Sequence, residues 1–327
     1  EINLGPLQDN GGPTFTMALL AGSTAIGAGN ATISNAAPIN ALDQRNFARS
    51  STAPSIGAFE YNGMHTITVL NDSDSGAGSL RQAIIDANTT PGDDQINFNL
   101  TGASSYTITL ASALPTIISA STPITGGGTA GTLTITGLGA SSLNISGNGG
   151  DFSIFSIASL GNLFISGVTV SGANNTSGNG GAFNNSGTLT ITNSNLSGNT
   201  SVFDGGGGGI FNRSGTLTVS NSTISGNTAN YGGGIYNNLG IVNVTNSTLS
   251  GNTASLGGGG GIFNGGTLTI LTVTNSTLSG NSAASSGGGI YNNSGTLTLT
   301  NSTLSGNTAS LGDGGGIYNI SGSTTLT

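Results

Sequence analysis

Carboxylates occur in two close pairs, where they are candidate ligands for a hard cation. Asp72 and Asp74 lie in one turn-rich segment, and Asp93 and Asp94 lie in another. Ca²⁺ binds about six to eight oxygen atoms, many of them from carboxylates. These four residues are therefore weak candidates for a calcium site. Asp is also common in ordinary turns, where its side chain accepts bonds from nearby backbone amides. We favour the structural interpretation and expect neither a metal nor any other cofactor.

The sequence offers little other catalytic chemistry. His65 is the only histidine, and cysteine is absent. A transition-metal site or a catalytic triad needs further residues of these types nearby. We therefore expect His65 to be an exposed loop residue, and we predict no catalytic residues.

Aromatic residues and asparagines, in contrast, recur at a regular spacing. The pattern G-G-[IA]-[FY]-N occurs six times and ends at Asn184, Asn212, Asn237, Asn264, Asn292 and Asn319. Its aromatic residues are Phe183, Phe211, Tyr236, Phe263, Tyr291 and Tyr318. A second pattern, N-S-[TN]-[LI]-S-G-N, begins at Asn193, Asn221, Asn246, Asn275 and Asn301. Both patterns recur every 25 to 29 residues, which is typical of a solenoid.

Within each repeat the apolar residues alternate with Thr and Ser, which is the period of a β-strand. In one repeat Leu189, Ile191 and Leu196 are predicted to point inward, and Thr190 and Thr192 outward. One repeat cannot bury its own apolar face, but stacked repeats can, because equivalent strands then pair in parallel about 4.8 Å apart. The sequence predicts an all-β, right-handed parallel β-helix with three short strands per coil and about ten coils.

Stacking of the coils places equivalent side chains in columns. We expect the asparagines that begin the second pattern to form a structural ladder at a corner inside the tube, since Asn tolerates a left-handed backbone and bonds its neighbour's amide. We expect the aromatic residues to point outward, where they either stack on one another or contact sugars. Residues 267–274 exceed the template by two residues, which predicts a β-bulge.

The solenoid is expected to begin with a capped end. Residues 66–70 have the pattern of a strand, and residues 79–88 that of an amphipathic helix with Ser79 as its N-cap. The apolar face of this helix consists of Leu80, Ala83, Ile84 and Ala87. Such a helix can cover the end of a parallel tube, whose free strand edges otherwise favour aggregation.

Composition excludes several functions. Only 5% of the residues are charged, lysine is absent and the net charge is −8, so nucleic acids and anionic membranes are poor partners. No apolar run is long enough to predict a membrane span. The chain begins at Glu1 without a signal peptide, and we expect a processed chain or a segment of a longer one.

Residues 66–88, T-I-T-V-L-N-D-S-D-S-G-A-G-S-L-R-Q-A-I-I-D-A-N, are followed by P-G-D-D-Q-I-N-F-N-L. This stretch resembles the opening of a bacterial family of right-handed parallel β-helix repeat surface proteins, the CSLREA-type proteins. The G-G-G-I-Y-N and N-S-T-L-S-G-N repeats are similar to the same family and to the repeats of polymorphic outer membrane proteins. The resemblance implies a secreted or surface-bound bacterial protein.

The predicted domains depart from the order expected for that family. Residues 63–327 form the parallel β-helix, divided into a cap (63–100), irregular coils (101–175) and regular coils (176–327). Residues 1–62 resemble the region that normally closes such a helix at its C-terminal end. Either the chain is one period of a tandem array, or residues 1–62 complete a neighbouring subunit's solenoid. Both explanations predict head-to-tail self-association.

The leading functional prediction is an extracellular structural surface module that assembles end to end into a filament or tandem array. The alternative is an adhesin that binds glycans through the aromatic column or the uneven loops. A third is a polysaccharide lyase-like enzyme, although its two carboxylates in the regular coils, Asp204 and Asp313, are about four coils apart.

The outward Thr columns resemble those of ice-binding solenoids, but Ile241, Asn243 and Ile270 interrupt them. We therefore favour an ordinary strand role for these threonines.

Overall fold

The chain folds as a parallel β-solenoid of about nine turns, with little helix. The computed structural model describes residues 2–8, 14–19, 23–34, 36, 42–44, 49, 55–58, 65–89, 92–118, 131–203 and 205–327. The all-β parallel β-helix is confirmed. The prediction of a loop position for His65 is wrong, because His65 begins the strand His65–Val69 and pairs with Asp94. The sequence pattern also predicts a strand at residues 123–125, which lie outside the described residues.

Each regular coil contains four strands, one more than the sequence predicts. One coil runs through Thr188–Thr192, Asn195–Ser197 and the two-residue strand Thr200–Ser201. A glycine-rich loop then leads to Ile210–Arg213, and the next coil begins at Thr216. The equivalent strands of successive coils form four parallel sheets, which we number 1 to 4 in this order.

The strands of sheets 1, 2 and 4 are three to five residues long, and those of sheet 3 are two residues long. Sheet 1 has the strands His65–Val69, Asp94–Phe98, Leu133–Thr136, Asn162–Ser166, Thr188–Thr192, Thr216–Ser220, Ile241–Thr245, Ile270–Thr274, Thr296–Thr300 and Ser323–Leu326. Sheet 2 has Tyr106–Thr109, Leu143–Ser146, Thr169–Ser171, Asn195–Ser197, Thr223–Ser225, Thr248–Ser250, Thr277–Ser279 and Thr303–Ser305. Sheet 3 has Asn174–Asn175, Thr200–Ser201, Thr228–Ala229, Thr253–Ala254, Ser282–Ala283 and Thr308–Ala309. Sheet 4 has Phe155–Ile157, Phe183–Asn185, Ile210–Arg213, Ile235–Asn238, Ile262–Gly265, Ile290–Asn293 and Ile317–Ile320.

The interior of the tube is a set of apolar columns. In sheet 1, Leu189, Leu217, Val242, Leu271 and Leu297 are consecutive partners, and all are fully buried. The inward alternation that the sequence predicts is therefore confirmed. Each such side chain contributes about 1.5–3 kcal/mol when it is removed from water.

The helix Leu80–Thr89 packs against the first two strands of sheet 1, as the amphipathic pattern predicts. Its buried residues are Leu80, Ala83, Ile84 and Ala87. The hydroxyl of Ser79 accepts a hydrogen bond from the amide of Gln82 at 3.2 Å, which is the expected N-cap. Asn88 donates to the carbonyl of Thr116 at 2.8 Å and so fixes the helix to the following segment.

The extra residues near position 267 form a turn, and the expected bulge is absent. Strand Ile270–Thr274 pairs with Ile241–Thr245 without any shift in register. The amide and hydroxyl of Thr269 both donate to the carbonyl of Gly266, at 3.2 and 2.7 Å. The insertion therefore lies in the corner between sheets 4 and 1, because a bulge inside sheet 1 would reverse the inward and outward faces.

Before residue 63 the described elements are few. The strands Leu4–Gln8 and Thr16–Leu19 pair antiparallel, and Ala31–Ser34 forms one helical turn. Of the helices that the structure describes, none has the length and apolar character needed to cross a membrane.

Candidate functional site

The asparagines that begin the N-S-T pattern lie at the corner between sheets 1 and 2. Asn193, Asn221, Asn246, Asn275 and Asn301 have φ values from 46° to 49°, the left-handed conformation that motivated the prediction. All five are exposed. The column therefore exists, but it lies on the outside of the tube and not inside it, because a side chain at this left-handed corner points toward solvent.

The asparagines that end the same pattern form a hydrogen-bonded column inside the tube. This corner ladder lies between sheets 2 and 3 and consists of Asn199, Asn227, Asn252, Asn281 and Asn307. The Nδ2 of each donates to the Oδ1 of the next, at 3.0, 3.0, 2.9 and 2.9 Å. The first four residues are completely buried.

Each interior rung of the corner ladder is fully bonded, as the buried amide of Asn252 illustrates. Its Nδ2 donates to Asn281 Oδ1 and to the carbonyl of Ile224, both at 2.9 Å. Its Oδ1 accepts from the Nδ2 and the backbone amide of Asn227, at 3.0 and 3.1 Å. A buried amide without partners would destabilise the fold, so this arrangement requires Asn in every coil.

A second interior column, the strand ladder, follows sheet 4. It consists of Asn185, Asn212, Asn237, Asn264, Asn292 and Asn319. Their Nδ2-to-Oδ1 distances are 2.7, 2.9, 2.8, 2.7 and 2.6 Å in chain order. Asn237 also donates to the carbonyl of Gly240 at 2.9 Å, which closes the turn into sheet 1.

A serine ladder lies beside sheet 2, one residue after the exposed asparagines. It consists of Ser194, Ser222, Ser247, Ser276 and Ser302. Each backbone amide donates to the next hydroxyl at 3.1 or 3.2 Å. Each hydroxyl donates to the carbonyl two residues earlier at 2.7 or 2.8 Å. Sheet 2 is thus held between two interior hydrogen-bonded ladders.

Five of the six predicted aromatic residues form one outward column on sheet 4. Phe211, Tyr236, Phe263, Tyr291 and Tyr318 have successive ring centroids 5.3, 4.7, 4.9 and 5.2 Å apart. These distances are typical of stacked and edge-to-face pairs, which stabilise the packing beyond the area they bury.

Phe183 does not belong to this column. It pairs with Ile210, and Asn184 pairs with Phe211, so this repeat is shifted by one residue from the sequence alignment. Phe183 therefore points inward, is fully buried and stacks on Phe155 with centroids 5.0 Å apart. The same shift makes Asn185, and not Asn184, the first rung of the strand ladder.

The aromatic column is largely covered by glycine loops and by Tyr231. Phe211 and Phe263 are 4% and 7% exposed. A Cβ on Gly258 would lie 2.2 Å from the ring of Tyr291, so only glycine allows this close approach. Tyr231 packs edge-on against Phe263 at 5.6 Å and keeps 37% of its surface exposed.

Two tyrosine hydroxyls in this column, those of Tyr236 and Tyr291, remain protonated at neutral pH. Burial raises the pKa of Tyr236 above its ordinary value, and the nearby Tyr231 adds to the effect. Burial also raises the pKa of Tyr291, with contributions from Tyr318 and Tyr231. The column therefore presents neutral hydroxyls and ring edges to solvent.

The four acidic residues considered as calcium ligands lie in different local environments. Asp74 forms an ion pair with Arg81 of the cap helix at 2.6 Å. Asp93 accepts a hydrogen bond from the amide of Thr132 at 2.7 Å. Asp72 is exposed, and Asp94 is buried. Across the part of the chain that the structure describes, no three His, Cys, Asp or Glu side chains group closely enough to hold a metal ion.

The other acidic residues of interest are scattered. Asp313 is exposed in the loop before the last glycine run, and Asp204 lies outside the described residues. Asp151 accepts hydrogen bonds from the amides of Thr176 and Ser177, at 2.6 and 3.1 Å. These bonds, that from Thr176 above all, lower the pKa of Asp151. Its role is to anchor a turn of the following coil.

Sequence reasoning missed both interior asparagine ladders, although each had a signal. The corner ladder is the last residue of the N-S-[TN]-[LI]-S-G-N pattern, and most of the strand ladder is the last residue of the other pattern. Comparison with known proteins gives no further assignment: no family model, no curated protein and no solved structure matches the chain.

Proposed function

We propose that this chain is an extracellular structural surface module whose solenoid extends by stacking of further coils. The observation that carries the proposal is the repetition of the two asparagine ladders and the serine ladder through the regular coils. The side-chain amides of the two asparagine ladders hydrogen-bond each coil to the next. Such a body resembles a repeat array, in which each unit is stabilised mainly by its neighbours.

The last described coil marks the position where we expect a further coil to add. In the described chain, its strands Thr303–Ser305, Ile317–Ile320 and Ser323–Leu326 each pair on one side only. Leu326 follows the inward column of Leu299 and is 60% exposed. We propose that strands from residues 1–62 of another copy, or from a further coil, continue these parallel sheets.

The cap helix makes the two ends of the solenoid different. It packs against the first two strands of sheet 1, and the described last coil has no equivalent helix. Head-to-tail association therefore uses the last coil as the acceptor and the segment before residue 63 as the donor. This polarity gives an open filament or array in preference to a closed dimer.

Assembly is tested with the full chain and two leucine variants of the last coil. We expect the wild-type chain to form elongated particles under the electron microscope and to sediment faster at higher concentration. Leu326→Lys places an inward charge on the free edge and is expected to give monomers. Leu311→Lys, in a loop of the same coil and 89% exposed, is the matched control and is expected to assemble normally. Wild-type monomers at all concentrations, or equal assembly of both variants, would overturn the proposal.

We infer membership of the CSLREA-type β-helix surface proteins, a bacterial source and a secreted or surface location from the sequence resemblance given above. The parallel β-helix, its cap helix and its repeats are consistent with that family. Detection of the native protein by surface labelling of intact cells tests the location. Its recovery only from the cytoplasmic fraction would contradict it.

Glycan binding is the second candidate, and the observation in its favour is the cluster of tyrosines on one face. Tyr231 is the most exposed ring of this cluster and lies against the column at Phe263 and Tyr236. A glycan array that shows binding by the wild-type chain and none by Tyr231→Ala would support an adhesin. A lyase-like enzyme is third, and it predicts release of unsaturated products from acidic polysaccharides.

A further inference from the structure

Sheet 2 presents an outer face of uniform chemistry. In four consecutive coils its outward residues are one Thr and one Ser, with the threonine row formed by Thr223, Thr248, Thr277 and Thr303. The four earlier strands of the sheet carry only Thr, Asn and Ser at the outward positions. Unlike the outer face of sheet 1, this face has no aliphatic residue interrupting its rows.

The two-dimensional spacing of this face is regular. Thr223, Thr248 and Thr277 are direct partners in neighbouring strands, with no change of register. Neighbouring hydroxyl-bearing side chains are therefore about 4.8 Å apart between coils and about 6.6 Å apart along a strand. The serine ladder on one side and the corner ladder on the other hold the strands in place.

One border of the face carries no side chain. Gly226, Gly251 and Gly280 lie at the corner between sheets 2 and 3 with φ of 61° to 62°. A Cβ at any of them would meet no atom within 4 Å, so space does not require glycine there. Asn occupies a similar left-handed corner on the other border. The glycine border leaves a flat surface open to close approach by another flat surface.

The size and chemistry of the face limit what it can bind. It measures roughly 10 Å by 34 Å, about 340 Å², whereas a stable interface buries about 800 Å² on each partner. A second copy of the chain is therefore a poor occupant. The outward positions of these strands carry no aromatic ring that could stack on a sugar and no charged group. An ordered lattice of water needs only periodic hydroxyl groups.

We propose that the outer face of sheet 2 binds the surface of ice. Its two spacings are close to oxygen–oxygen repeats of the hexagonal ice lattice, so many hydroxyls can engage lattice positions together. Each contact is weak, but a rigid face that meets a rigid solid loses its translational freedom only once for all contacts. This inference does not depend on the proposed assembly, which uses the last coil.

The experiment compares two lysine variants of one coil by partition into slowly grown ice. Thr248→Lys places a long hydrated side chain in the centre of the sheet 2 face. Thr245→Lys places the same side chain on the outer face of sheet 1, three residues earlier. We expect the wild-type chain and Thr245→Lys to be enriched in the ice, and Thr248→Lys to be excluded like an inert protein.

A third variant helps to distinguish a loss of ice binding from a loss of folding. Gly251→Asn keeps a residue that tolerates the left-handed conformation but puts a side chain on the bare border, and it is also expected to reduce enrichment. Circular dichroism verifies the fold of each variant. Exclusion of the folded wild-type chain from ice, or equal enrichment of Thr245→Lys and the folded face variants, would overturn the proposal.

Discussion

At the scale of the residue, the interior asparagines perform a task that apolar side chains cannot. The distance between successive coils allows the Asn side chain of one coil to hydrogen-bond that of the next. Each side-chain amide therefore bonds the Asn side chains of both neighbouring coils and also a backbone carbonyl. In a low-dielectric interior such a network is favourable only when every member is bonded.

Removing one rung should therefore cost more than one hydrogen bond. Asn252→Ala removes the two bonds that its Oδ1 accepts from the Nδ2 and the backbone amide of Asn227, and the bond that its Nδ2 donates to the carbonyl of Ile224. Each unsatisfied buried group costs about 1–3 kcal/mol, so we expect the free energy of unfolding to fall by about 3 kcal/mol or more. Chemical denaturation measures it. Asn243→Ala, on the outer face of sheet 1, is the control and should cost less than about 1 kcal/mol. Equal losses of unfolding free energy in the two variants would show that a ladder Asn contributes no more to stability than an Asn on the outer face.

A pH-dependent contact involves Asp151, whose carboxylate holds the amides of Thr176 and Ser177. The pKa of Asp151 is lower in the folded chain than in the unfolded one, so its contribution is present above the ordinary Asp pKa of about 3.9 and is lost as the pH falls through the lowered value. We expect the amide resonances of both residues to shift together below pH of about 3.9. The shift should vanish in Asp151→Asn, and a midpoint above the ordinary value would contradict the assignment.

At the scale of the element, the cap helix shows how one face of a short helix closes the tube. Ile84 is fully buried against sheet 1, while its neighbour Ile85 is 41% exposed. We expect Ile84→Ala to lower the free energy of unfolding by about 2–5 kcal/mol, since it leaves a cavity under the helix. Ile85→Ala should change it by about 0.5 kcal/mol or less. Denaturant titration of both variants distinguishes them, and similar losses would mean that the helix does not cap the solenoid.

The strands and turns also show which features the sequence alone predicts and which it does not. Alternation of Leu and Val with Thr gives the inward face of sheet 1, because that pattern reflects burial directly. The register of Phe183 could not be read in this way, because Ala182 stands where the later repeats have a third glycine, and the motif alone aligns the wrong ring. Pattern also cannot separate Asn193 from Asn199, since their different burial depends on how the chain turns at each corner. The turn at 266–269 was likewise invisible, because placing an insertion requires the coil above and the coil below.

At the scale of the whole molecule, stability depends on whether a coil has a neighbour above it. Gly289 and Gly316 occupy equivalent positions in consecutive coils, but only Gly289 is covered. A Cβ on Gly289 would lie 2.6 Å from the carbonyl oxygen of Gly316, whereas one on Gly316 would come no closer than 3.8 Å to Leu304.

The same substitution should thus have opposite effects at the two positions. We expect Gly289→Ala to destabilise the chain by about 1–3 kcal/mol through overpacking. Gly316→Ala should be neutral or stabilising by up to about 1 kcal/mol in the monomer, because it restricts the unfolded chain. Thermal unfolding at low protein concentration measures both. A loss of stability at position 316 under these conditions would indicate a covered coil and hence association.

The direction of the asparagine ladders gives the rod a mechanical polarity. In both ladders, the Nδ2 of every rung but the last donates to the Oδ1 of the rung in the next coil, and consecutive rungs such as Asn237 and Asn264 are 27 residues apart. Because each coil bonds only to the coils next to it, a force that pulls the last coil away from the rod loads one layer of bonds at a time. The solenoid would lengthen in separate steps of about 95 Å of released chain, while the coils that remain keep their bonds. Each coil thus detaches before the next one is loaded, and a rod of this kind unfolds gradually from one end.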